Sequence, residues 1–256
     1  MRKVLRYVGF GLIGIAIVLF SVDIYASYQN ETTTQELNEF NEQLTRFDDS
    51  VFDDLLPDET VEPNSGKQSI WYFNKINQAF FEINKDYIGW IEIDELSISY
   101  PMVKGKDNDY YLRHSFNRKS SRHGAIFMDY RNQIDFSDQH IVIYGHAMRD
   151  GTMFRPFDRI KNSKGFVEGM EIAIRTLDSV DTYRIFSVYL VDARTTSLDI
   201  PANDKDVLKM AMDFKKKSRY KIDEDISNIT QILTLVSCNY DIDHGRIIIH
   251  AIKVND

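Results

Sequence analysis

The chain holds a single cysteine, and the residues around it are the ones with the right types and spacing for covalent chemistry. Thr234-Leu235-Val236-Ser237-Cys238 closes an apolar, β-prone segment that begins at Ile232. A short polar loop with Asn239 and His244 follows, then a second β-prone segment, Ile247 to Val254, entered through Arg246. The pattern reads as strand, loop, strand. Side chains alternate faces along a strand, so Thr234, Val236 and Cys238 share one face and Arg246, Ile248 and His250 share another. If the strands pair, Cys238 and Arg246 meet at one end of the sheet. A thiolate is a nucleophile, and a guanidinium beside it can stabilise the oxyanion that attack on a carbonyl creates. A lone cysteine forms no intramolecular disulfide. It is either a small buried hydrophobe or a reactive thiol.

A thiol of this kind needs a proton carrier, and six histidines are available: His114, His123, His140, His146, His244 and His250. His146 ends the run Ile-Val-Ile-Tyr-Gly-His. His140 lies on the same strand face but about 20 Å away at 3.3 Å per residue, so the two cannot serve one site. His244 is close to Cys238 in sequence. The residues by themselves leave His146 and His244 both open. No metal is expected, because zinc sites need several Cys and His at short spacing and neither His-x-x-His nor His-Glu-x-x-His occurs. No glycine-rich phosphate loop appears either, and no cofactor is expected.

The elements that must position these groups follow from periodicity. Met1 to Arg6 is basic, and Tyr7 to Val22 carries no charge. This predicts a membrane anchor over residues 1–25, slightly short of the ~20 apolar residues of a full span. The basic flank puts the N-terminus in the cytoplasm and the rest outside; a cleaved signal peptide is the competing reading. Residues 26–66 read as a helical stalk and linker. Thr33 to Glu36 has capping-box spacing, Leu37, Phe40, Leu44, Phe47, Val51 and Leu55 form a helical stripe, and Asp58 to Lys67 is linker-like. The catalytic domain is expected over 67–256. It starts with a helix over Ile70–Ile83, and short strands follow at Tyr87–Ile93, Ile98–Val103 (with Pro101 suiting an edge), Gly124–Asp129, His140–His146, Glu171–Leu177 and Tyr183–Ala193. A helix over Asp204–Lys217 precedes the two final strands. About eight short strands favour a closed all-β domain. Beyond Arg6 the chain has 28 basic against 39 acidic side chains, a net −11. That acidity excludes sequence-independent nucleic-acid binding, which needs a basic footprint.

Thr-Leu-Val-Ser-Cys, with Arg eight residues after the cysteine, resembles the signature of the sortase family, usually Thr-Leu-x-Thr-Cys with a downstream Arg. Ser237 stands where Thr is usual and keeps the hydroxyl. Gly89-Trp90-Ile91, Tyr100-Pro101, Asp107-Asn108 with Tyr110-Tyr111-Leu112, Ile126-Phe127-Met128-Asp129 and the helix before the Cys238 strand resemble class B, from about residue 84 to the C-terminus. The resemblance implies a closed eight-stranded sortase-type β-barrel with N-terminal helices. It implies a membrane-anchored cysteine transpeptidase in which Cys238, His146 and Arg246 are catalytic and Ser237, Thr234 and Asn239 lie at the substrate. The partners it implies are surface proteins bearing a sorting signal, cleaved after Thr, and an amine of the peptidoglycan cross-bridge. The alternatives are a pilin-polymerising sortase, a papain-like peptidase or L,D-transpeptidase, and a non-catalytic anchored module with a structural Cys238.

Overall fold

The structure, a computed structural model, describes Gln35 and residues 77–254 apart from 162, 178, 195–206, 239–240 and 242. The expected anchor, most of the stalk and linker, and Asn239 therefore lie outside the described residues. Among the described residues no helix is long and apolar enough to cross a membrane.

Eight strands close into a barrel in the order β1-β2-β3-β4-β7-β8-β6-β5. They are β1 (Tyr87–Ile93), β2 (Ile98–Val103), β3 (Ile126–Met128), β4 (His140–Tyr144), β5 (Glu171–Arg175), β6 (Val180–Asp192), β7 (Ile232–Cys238) and β8 (Gly245–Lys253). Alternation along each strand fills the interior. Ile141 and Ile143 of β4, Leu233 and Leu235 of β7, and Ile247, Ile249 and Ala251 of β8 all join one apolar cluster. Pro101 fits because β3 pairs with β2 only at Met102 and Val103. The stretch Ile98 to Pro101 thus has β1 as its single strand partner, where a missing N–H is tolerated.

Two parts of the barrel's outside are covered. Helix α1 (77–83) buries Phe80 against Tyr87, Trp90, Phe116 and Phe127. Its Asn77 donates to the carbonyls of Thr176 and Leu177 beyond β5, and accepts from Tyr87. Two one-turn helices that periodicity could not announce, α2 (Phe157–Ile160) and α3 (Lys164–Val167), cross one end. Helix α4 (Val207–Lys217) packs Val207 and Ala211 against Phe186, Ile232 and Ile252. Strand bounds shift by a few residues from the sequence expectation. β7 runs on to Cys238 itself and β8 starts at Gly245, because every residue from Ile232 to Cys238 is paired with β8 and all but the Cys are buried.

Candidate active site

Two registers bring the chemistry together. β4 and β7 are parallel, with His140 opposite Ile232 and Tyr144 opposite Val236. Two residues further along each chain this register reaches His146 and Cys238. β7 and β8 are antiparallel, and Cys238 pairs directly with Arg246. Paired residues point to the same face of a sheet. His146, Cys238 and Arg246 therefore stand side by side on three neighbouring chain segments, at one end of the barrel's outer face. The next row on this face is Tyr144, Val236, Ile248 and Tyr189, and the row beyond contains Thr234 and His250. α4 closes the far end of the face, with Phe214 stacked on the His250 ring at 3.7 Å.

The turn carrying His146 is fixed from several directions. Gly145 N–H donates to Val236 O at 3.1 Å, and Ser237 Oγ donates to Gly145 O at 2.8 Å. A side chain at Gly145 would meet Ile126 and Phe154, so glycine lets the turn sink onto the core. His146 Nε2 donates to Leu112 O at 2.9 Å, which leaves Nδ1 as the ring nitrogen for the thiol. Gly124, at φ +62°, lies where a Cβ would come within 3.2 Å of the imidazole.

The electrostatics follow from this packing. The hydrogen bond to His146 lowers the pKa of the Cys238 thiol; burial opposes it, and the Arg246 charge and the Ala147 N–H reinforce it. The same bond to Cys238 raises the pKa of His146 against the cost of burial, helped by the Leu112 carbonyl and opposed by Arg246. Both directions favour a thiolate–imidazolium pair, a nucleophile already formed beside an acid that can protonate a leaving group. The Arg246 Nη1 donates to Gly245 O at 2.9 Å, which leaves the rest of its fork for an oxyanion or a peptide carbonyl.

The remaining histidines separate clearly. His244 sits at φ +54° with its side chain 57% exposed, 3.6 Å from Asp243. His140 is buried and bonds Thr234 Oγ1 at 2.7 Å. His250 Nδ1 bonds the same hydroxyl at 2.7 Å, and its Nε2 bonds the Tyr189 hydroxyl at 2.9 Å. Thr234, read from the sequence as a substrate residue, is fully buried inside this chain of polar groups. Ser237, read likewise, points into the barrel and is 2% exposed. Both are enclosed by internal partners, Ser237 against Gly145 and Thr234 between His140 and His250. Periodicity could not reveal the Leu112 carbonyl, the Ala147 N–H, or the Asp129 carboxylate that accepts from Tyr144, Asn108 and Arg131. Among the described residues no group of three or more His, Cys, Asp or Glu could hold a metal ion.

The Sortase domain family matches residues 91–254. Sortase B of Listeria monocytogenes is 33% identical over 174 residues, 66% of this chain and 70% of its own. Sortase B of Staphylococcus aureus is 34% identical over 186 residues, 70% and 75% respectively. The crystal structure of Clostridium perfringens sortase B superposes with a TM-score of 0.64 at 33% identity, covering 70% of this chain and 99% of that one. With the thiol, imidazole and guanidinium abreast on the barrel these relatives share, the chain belongs to the sortase family, as a cysteine transpeptidase of the sortase B type that acts on sorting-signal substrates.

Proposed function

We propose that the enzyme is held at the outer face of a membrane by residues 1–25, cleaves a class B-like signal of the form Asn/Ser-Pro-x-Thr-x after the Thr, and transfers the new carboxyl end to an amine of the peptidoglycan cross-bridge. The observation that supports the catalytic roles most strongly is the direct pairing of Cys238 with Arg246 beside the His146 hydrogen bond. Cys238 Sγ attacks the Thr carbonyl carbon. Arg246 stabilises the oxyanion as it forms. His146 gives its proton to the leaving amine as the carbon–nitrogen bond breaks, which leaves a thioester on Cys238. An incoming amine attacks that thioester, His146 takes its proton, and the thiolate is released. The row of Tyr144, Val236, Ile248 and Tyr189 next to Cys238 offers an apolar floor for the residues before the Thr. A proline there would pre-set the peptide backbone and reduce the entropy lost on docking.

Mass spectrometry of the purified protein incubated with peptides of Asn-Pro-Gln-Thr and Leu-Pro-x-Thr core tests this. An acyl adduct on Cys238 ending at the Thr, formed faster from the first peptide, is expected. No adduct, or clear preference for the second, overturns the mechanism or the signal class respectively. Accessibility of the bulk of the chain to protease in intact protoplasts tests the topology, and full protection would reverse it.

A further inference from the structure

Catalysis by a Cys–His pair depends on the ring being held still, and the His146 segment returns to the barrel through an exposed loop. That loop folds back on itself. Phe154 N–H donates to His146 O at 2.8 Å, Ala147 bridges to Met153, and Met153 N–H donates to the Tyr100 hydroxyl at 2.9 Å. At its tip Asp150 Oδ1 accepts from the Thr152 N–H and hydroxyl. Asp150 Oδ2 accepts from His123 Nε2 at 2.5 Å. His123 is 2% exposed and comes from a different loop, the one running from Leu112 to Gly124. This second loop supplies the carbonyl that holds the His146 ring and the glycine packed against it. Its ends are pinned by Ser121 N–H to Arg113 O and by Ala125 N–H to Tyr111 O.

One loop thus carries the backbone of His146 and the other grips its ring. Among the side chains of the two loops, the His123–Asp150 contact is a cross-link between them. We propose that His123 and Asp150 form a positioning pair that locks these two loops together and so holds the His146 imidazole against Cys238. The inference rests on the reading of His146 and Cys238 as the working pair. Asp150 is a loop-tip carboxylate, and His123 Nδ1 is buried with no hydrogen-bond partner among the described residues. A buried neutral imidazole carries one N–H, and here that N–H is spent on a carboxylate of the other loop.

The test reads the pair itself: the rate of Cys238 alkylation by iodoacetamide against pH, in the full-length protein. His123→Phe keeps the ring volume and loses the donor. Asp150→Ala acts on a side chain that is 31% exposed, so it spares the core and carries the comparison if His123→Phe does not fold. His123→Gln keeps an N–H donor near the Nε2 position. His123→Phe and Asp150→Ala are expected to move the alkylation midpoint up toward that of a free thiol, about 8.5. Since only thiolate reacts, alkylation at pH values below the midpoint slows roughly ten-fold for each pH unit by which the midpoint rises. His123→Gln should restore the midpoint. Wild-type midpoints in both disrupting variants, or a His123→Gln midpoint as high as that of His123→Phe, would overturn the proposal. His146→Ala in the same assay separates the two levels. If it raises the midpoint while the loop variants do not, only the positioning role fails. If it too leaves the midpoint in place, the Cys–His reading fails with it.

Discussion

Replacing Thr234 by Val exchanges a hydroxyl for a methyl group at a fully buried site four residues along β7 from Cys238. One proton ordering satisfies the buried chain: Tyr189 O–H donates to His250 Nε2, His250 Nδ1–H to Thr234 Oγ1, and the Thr234 O–H to His140 Nε2. The valine breaks the last two links and leaves one nitrogen on each imidazole without that partner. A buried polar group left unsatisfied costs about 1–3 kcal/mol. Two such groups at a central value of about 2 kcal/mol each, less about 0.8 kcal/mol for the added methyl, give a loss of about 3 kcal/mol. For a domain of about 180 residues this lowers Tm by roughly 5–15 °C. Thermal unfolding followed by circular dichroism measures it. At 20 °C, where the variant is still folded, peptide cleavage should stay within a few-fold of wild type. A Tm change under about 2 °C, well below that range, would refute the energetic account of the buried chain. A large loss of activity at unchanged Tm would mean that Thr234 meets the substrate after all.

Three further outcomes follow from the same geometry. His146→Ala should lose about 10²–10⁴-fold in thioester formation, whereas His244→Ala should lose almost nothing; single-turnover acylation compares them, and the reverse ranking would exchange their roles. Arg246→Lys keeps the charge but not the planar fork, so the alkylation midpoint of Cys238 should hardly move while acylation falls about 10²-fold or more; equal losses in both would point to charge alone. Burial holds the pKa of His250 well below the ordinary imidazole value of 6.5, with His140 and Lys217 adding to the effect. Because the folded state resists protonation, this stability is fully present above pH 6.5 and is lost as pH falls below it, by up to about 1.4 kcal/mol per pH unit for one proton. His250→Gln should flatten the decline in Tm between pH 7 and 5, and an unchanged slope would place the titrating group elsewhere.

The strands were legible because a barrel wall alternates apolar and polar residues, and Tyr87–Ile93 and Ile98–Val103 keep the same limits in the structure as in the sequence reading. Cys238 and Arg246 were legible together because a short loop between two strands leaves little choice of register. His146 was not separable from His244 on the residues alone. Its place beside Cys238 comes from the parallel pairing of β4 with β7, a contact across 92 residues that no local pattern records. The burial of Ser237 and Thr234 was illegible for a related reason. Nearness to a nucleophile in sequence says nothing about accessibility, and alternation put Ser237 inside the barrel while the two histidines enclosed Thr234. His123 and Asp150 gave no signal, since each is an ordinary loop residue until the fold brings them together.

The parallel seam between β4 and β7 also bears on when the enzyme becomes reactive. Local hairpins such as β1–β2 and β7–β8 can form early, but a pairing that closes so long a stretch of chain carries a larger entropic cost and forms late. Before it forms, Cys238 has Arg246 at hand and no imidazole, and so lacks the largest of the influences that lower its pKa. The depressed pKa arrives with ring closure of the barrel. Nucleophilicity is therefore coupled to completion of the fold, and a partly folded or misregistered chain carries a comparatively inert sulfur.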